Sequence, residues 1–226
     1  MADTSPEDPG LRQPAHHRLY GRAKGKPLTE HQSGLMETEY PRMSVGDELP
    51  EGPLWMEIGF GAAHHLLHLA ETNPGVTVIG AEPFLNGVAK AVAGAVERDI
   101  GNLRLHHGDA REVLAKLPDA SLDRLFVLFP DPWPKARHHK RRLIQEDTIS
   151  EFARVVRPGG TWRFASDIIS YVDWVLVRVD REPEFAWEPE NAESFLRRPG
   201  DSVETHYMRK ALREGRVPHW FDFKRM

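Results

Sequence analysis

Apolar residues along this chain gather in short dense runs that alternate with stretches of helical spacing. Leu54-Trp-Met-Glu-Ile is a compact apolar run ended by Gly59, and residues 62–72 then carry Leu66, Leu69 and Ala70 at helix-like steps. Residues 76–81 repeat the strand signal, after which Phe84, Val88, Val92, Ala95 and Val96 recur at three- and four-residue steps as one helical face. Further strands are predicted over 103–107, 122–129 and 161–165, separated by helices over 110–116 and about 146–156. Phe221 and Phe223 alternate with Asp222 and Lys224, which reads as a half-exposed closing strand, and Gly159-Gly160 reads as a turn. Strands alternating with helices predict an α/β architecture around a largely parallel sheet.

The 226 residues correspond to one full domain with extensions. Residues 1–18, punctuated by Pro6, Pro9, Gly10 and Pro14, read as a disordered leader, and 19–226 as a single domain that begins with a basic, glycine-punctuated arm at 20–26. With 40% apolar and 9% aromatic residues there is enough material for one buried core. No run approaches the 18 or so apolar residues of a membrane span, and residues 1–10 lack an export signal, so a cytoplasmic location is expected. With no cysteine, thiolate metal sites and disulfides are excluded. His64 and His68 share a helix face but lack the context and third ligand of a metal site, so no metal is expected. No obligate protein partner is inferred.

Net charge is −4, which argues against indiscriminate coating of nucleic acid. The distribution is uneven. Residues 135–142 hold five Lys or Arg and two His, whereas 180–193 hold six carboxylates. A local patch suited to phosphates therefore exists.

Two segments carry candidate chemistry. Gly59-Phe60-Gly61 lies between a predicted strand and helix, where backbone amides can approach a nucleotide-like ligand, and Glu82 follows Gly61 by 21 residues at the end of the next strand, placed to accept from ribose hydroxyls. Glu57, just before the turn, would repel a pyrophosphate but pair with the ammonium of S-adenosylmethionine, and His64 stands where a dinucleotide fingerprint has its third glycine. S-adenosylmethionine is the expected ligand. Asp109, in Gly-Asp-Ala after the third strand, is placed either to accept the adenine amino group or to cap the following helix.

The second segment, Phe129-Pro-Asp-Pro-Trp-Pro-Lys, follows the fourth strand. Pro130, Pro132 and Pro134 hold Phe129, Asp131 and Trp133 out of the helical region, which predicts a stiff extended loop that presents Asp131 at the ligand crevice. The basic run behind it offers phosphate contacts, and Trp133 offers a stacking face for a base.

Residues 129–142 match the signature Phe-Pro-Asp-Pro-Trp-x-Lys-x-Arg-His-x-Lys-Arg-Arg, and on it the chain resembles the tRNA (guanine-N7-)-methyltransferase family. The resemblance runs from the arm at Tyr20 to the last strand. It implies a Rossmann-like class I methyltransferase fold, a mostly parallel seven-stranded sheet with one antiparallel strand and helices on both faces. It implies S-adenosylmethionine as methyl donor and tRNA as partner, with methylation of a variable-loop guanosine. By the same resemblance Glu57, Gly59, Phe60, Gly61, Glu82, Asp109, Ala110 and Asp131 line the cofactor site, with Asp131 also catalytic. Lys135, Asp167, Thr205, His206 and Tyr207 fall at substrate-contacting positions, and Arg137, His138, His139, Lys140, Arg141 and Arg142 in the RNA-binding segment. Three departures stand out: Met208 replaces the glutamate of a C-terminal Thr-x-Phe/Tyr-Glu element, Ser166 replaces threonine, and Ala63 replaces a frequent glycine. The Ala63 methyl is expected beside the cofactor. Two competing readings are a methyltransferase for a small molecule or protein, and a non-catalytic tRNA-binding protein.

Overall fold

The computed structural model describes residues 19–20, 25–46, 48 and 50–226, so the expected leader and part of the basic arm lie outside the described residues. Seven strands are present: β1 (Leu54–Ile58), β2 (Thr77–Ala81), β3 (Leu103–His106), β4 (Leu122–Leu128), β5 (Val156–Ser166), β6 (Phe185–Trp187) and β7 (His219–Arg225). They form one sheet in the order β3-β2-β1-β4-β5-β7-β6, in which β7 alone runs antiparallel to its neighbours. Strand order reverses between β1 and β4, and a crevice opens beyond their carboxyl ends.

The helices are α1 (Glu30–Thr38), α2 (Tyr40–Met43), α3 (His64–Thr72), α4 (Leu85–Glu97), α5 (Ala110–Leu114), α6 (Glu146–Val155), α7 (Ile169–Val179) and α8 (His206–Arg213). One sheet face carries α3 and α4, whose Leu66, Leu69, Val88 and Val92 are fully buried, and the other carries α5, α6 and α7 around Phe152, Trp162 and Tyr171. Burial on both faces is why β1 and β4 read as near-continuous apolar runs.

All of the predicted strands and helices are found at or within a few residues of their expected positions. Five further elements are α1, α2, α7, α8 and β6. Around Gly159-Gly160 the chain does not turn between elements but bulges within β5, where the pairing with β4 jumps from Leu122–Val156 to Arg124–Thr161. Gly159 is left-handed at φ +78°, and a Cβ on Gly160 would meet the Asp123 carbonyl at 2.8 Å. Arg163 of β5 is 4% exposed, and Asp222 and Asp201 each answer it at 2.6 Å. Burial raises the Asp201 carboxyl, but its bonds to Arg163 and Arg124 outweigh this and hold it down at about 2.

Candidate active site

Four strand ends build the crevice. After β1 the turn uses positive φ at Gly59 (+73°) and Gly61 (+56°). A Cβ on Gly61 would stand 3.0 Å from the Tyr207 ring, so the turn is kept bare where α8 crosses it. After β2, Glu82 accepts the Gly61 amide at 2.7 Å and the Phe84 amide at 2.9 Å, one on each carboxylate oxygen, and each oxygen retains a lone pair for a ligand. Burial pushes the Glu82 carboxyl up, the Phe84 and Gly61 amides draw it partly back, and the charges of Asp131 and Glu57 raise it further.

After β3, Asp109 caps α5 by accepting the Arg111 amide at 3.0 Å and also holds the Arg111 guanidinium at 2.5 Å. Its capping role is realised, while Asp109, Gly108 and Ala110 also line the crevice. After β4 comes the proline loop. Here the expectation of an extended loop is corrected: Phe129 and Trp133 avoid the right-handed helical region by adopting left-handed φ of +53° and +41°. Such backbone costs about 1–2 kcal/mol per residue and must be held from outside. The Phe129 amide donates to Ala165 at 2.8 Å, its ring packs edge-on to Trp220 at 5.7 Å, and Arg142 Nε donates to the Pro132 carbonyl at 2.9 Å. Asp131 is thereby presented to the crevice, where partial loss of solvent pushes its carboxyl up.

The cavity measures about 270 Å³. Tyr207 forms part of its wall and, on its other side, part of a small chamber edged by Glu57, Gly59, Phe60, His64, Thr205 and His206. Burial, with Glu82 and Asp131 nearby, pushes the Tyr207 phenol up and keeps it a hydrogen-bond donor. Thr205 caps α8 by accepting the Met208 amide at 3.2 Å. Met208 itself packs against the core beneath α3 and α4, so the side chain at this departure from the family pattern is a packing residue. Asp167, after β5, is held by Arg216 at 2.6 Å.

The basic segment divides. It forms a short 3-10 helix, Ala136–Arg141, with Lys135, Arg137 and Lys140 exposed and His138 edge-on to Trp133 at 6.0 Å. Burial and then the surrounding cations lower the His138 pKa. The Arg141 guanidinium lies over both Tyr20 (4.9 Å) and Trp133 (5.0 Å) at the crevice wall. Two members of the expected RNA-binding set are corrected. Arg142 is only 2% exposed, stacked on Tyr171 and Trp174 and bonded to the Pro132 and Ser170 carbonyls, so it clamps the loop from behind. His139 turns inward onto Trp174 at 5.2 Å.

Ala63 is also corrected. It is 0% exposed in the core beside α3, with φ +63°, and lines neither cavity. Its methyl therefore strains the backbone and leaves the crevice unaltered. Sequence reasoning missed His65, whose ring bonds Glu57, and Gly87, on which the turn packs. The signal for Gly87 was faint: a glycine in the first turn of a strongly periodic helix.

A sequence profile described as a putative methyltransferase family matches residues 51–219. A tRNA (guanine-N(7)-)-methyltransferase of Ruegeria sp. (strain TM1040) is 44% identical over 92% of this chain and 87% of its own length, and that of Caulobacter vibrioides (strain NA1000 / CB15N) is 44% identical over 92% and 95%. This chain belongs to the tRNA (guanine-N7-)-methyltransferase family. Among solved structures, the 16S rRNA methyltransferase KamB superposes with a TM-score of 0.54 at 16% identity, covering 90% of this chain and 98% of that one. TrmN from Thermus thermophilus gives 0.52 at 16%, covering 86% and 48%. At such identities these likenesses concern the fold, which is that of a class I methyltransferase.

Proposed function

We propose that this member of the tRNA (guanine-N7-)-methyltransferase family transfers a methyl group from S-adenosylmethionine to N7 of a variable-loop guanosine in tRNA, in the cytoplasm. The observation that carries the reading is the convergence of Glu82, Asp131 and the glycine turn on one crevice whose wall also includes Arg141 and Trp133. The residues present fit the donor. Glu82 and Asp131 line the crevice and Glu57 edges the chamber beside it; burial first, and then the charges of Asp131 and Glu57, raise the Glu82 carboxyl, so a cationic guest is favoured there.

S-adenosylmethionine, when bound, supplies a methyl group on a positively charged sulfur. Glu82 and Asp109 would hold its nucleoside end, and Glu57 its ammonium. Guanine N7 has a free lone pair and no proton, so attack needs no prior general base and positioning dominates. Asp131, fixed by the strained loop, would orient the base and stabilise the positive charge that grows on it. Lys135, just before the adjoining helix, and Arg137 and Lys140 on it, all exposed, would hold phosphates while Trp133 and Arg141 meet the base or its neighbour.

Transfer of labelled methyl to unmodified tRNA transcripts, followed by nucleoside analysis, tests this. Label in 7-methylguanosine that disappears with Asp131→Ala is expected; label elsewhere, or equal transfer by Asp131→Ala, would overturn it.

A further inference from the structure

Glu57 and His65 are sealed together behind the glycine turn, 3% and 1% exposed, with His65 Nδ1 2.9 Å from Glu57 Oε2. The imidazole packs edge-on to Phe126 at 5.2 Å, and its Nε2 is buried without a partner among the described residues. These contacts decide its form. A carboxylate neighbour requires Nδ1 to be the donor. His65 Nδ1 is then the donor of the hydrogen bond that holds Glu57.

Glu57 also edges the small chamber beside Tyr207, so the carboxylate is held between the His65 ring and an opening. We infer that His65 is a positioning residue that locks the Glu57 carboxylate toward this chamber, to receive the ammonium at the amino-acid end of the methyl donor. The bond also joins the end of β1 to the first turn of α3 across the glycine loop, so the orientation of the acceptor is tied to the backbone that cradles the nucleoside. The inference rests on S-adenosylmethionine being the donor.

Calorimetric binding of two nucleosides tests it. S-adenosylhomocysteine retains the amino-acid end and 5′-methylthioadenosine lacks it. His65→Leu is expected to weaken S-adenosylhomocysteine by about tenfold to hundredfold, the loss of one charge-assisted bond, and to leave 5′-methylthioadenosine unchanged. His65→Asn, with an amide N–H in place of Nδ1, is expected to recover most of the loss. Equal weakening of both ligands, or of neither, would overturn the inference. Should His65→Leu fail to fold, ring ¹⁵N shifts of the unaltered protein decide: a protonated Nδ1 perturbed by S-adenosylhomocysteine and not by 5′-methylthioadenosine is expected, and an Nδ1 without a proton, or an equal response to both ligands, would overturn it. If the unaltered protein binds neither nucleoside, the donor assignment itself falls, and this inference with it.

Discussion

Replacing Gly87 by alanine puts a methyl group 2.3 Å from the Gly61 carbonyl oxygen and 3.2 Å from Glu82 Cγ. Ordinary contact at such a position begins near 3.4 Å, so turn or helix must retreat by about 1 Å. The obstruction is backbone, which cannot rotate aside. A retreat of the turn would take the 2.7 Å bond from the Gly61 amide to Glu82 out of hydrogen-bonding range. Overpacking costs about 1–3 kcal/mol and the lost bond to a carboxylate about 1.5–3, against a helix-propensity gain of at most about 1. The net expectation is a loss of about 2–4 kcal/mol, or roughly 5–15 °C in Tm for a chain of this size. Gly34, in the middle of α1, is the control, because nothing lies within 4 Å of where its added methyl would stand; Gly34→Ala should gain about 0.5–1 kcal/mol. Thermal unfolding and calorimetric titration with S-adenosylhomocysteine read both effects. If Gly87→Ala matched Gly34→Ala in stability and kept its ligand affinity, the close packing of α4 on the glycine turn would not be what shapes the site.

Other perturbations separate the remaining roles. Asp131→Asn should keep S-adenosylhomocysteine and tRNA binding while lowering kcat; unchanged turnover in single-turnover assays would remove Asp131 from the mechanism. Because the Glu82 and Asp131 carboxyls are raised, they take up protons at higher pH than ordinary carboxylates, so the acid limb of kcat/KM should lie above the usual 3.8–4.5, and Asp131→Asn should simplify it. By the same sign, stability of the free protein should fall as pH rises from those ordinary values through the raised ones, which urea titrations across that window would detect. Arg137→Ala and Lys140→Ala should each reduce the salt slope of tRNA binding by about 1, whereas Arg142→Leu should leave the slope alone and lower Tm and kcat, since its guanidinium holds the loop; filter binding over a salt series decides. Asp201→Asn should cost about 1 kcal/mol at neutral pH, allowing for the half-exposed carboxylate, and the deficit should vanish as pH falls from 3.8 to about 2, where the native carboxyl also takes a proton.

The alternation of apolar runs determined the α/β sheet, because strands buried on both faces and amphipathic helices leave different periods in a sequence. The glycine turn, Glu82 and the proline loop were legible for a similar reason: local backbone geometry demands particular residues at particular spacings. Elements whose apolar content is slight escaped. α8 buries Ala211 alone, and β6 is three residues long inside an acidic stretch. Tertiary packing alone decided the fate of residues that look alike in sequence. Arg141 stacks at the crevice wall, while Arg142, one position later, is turned into the core by Tyr171 and Trp174. His64 is exposed, and its neighbour His65 is sealed against Glu57. Ala63 and Met208 sit among motif residues, but Ala63 packs into the core and Met208, partly buried, packs against it. A residue's type and spacing fix what chemistry it can offer, but a one-residue step along a helix turns a side chain by about 100°, so only the packed neighbours determine whether that chemistry meets a ligand or holds the scaffold.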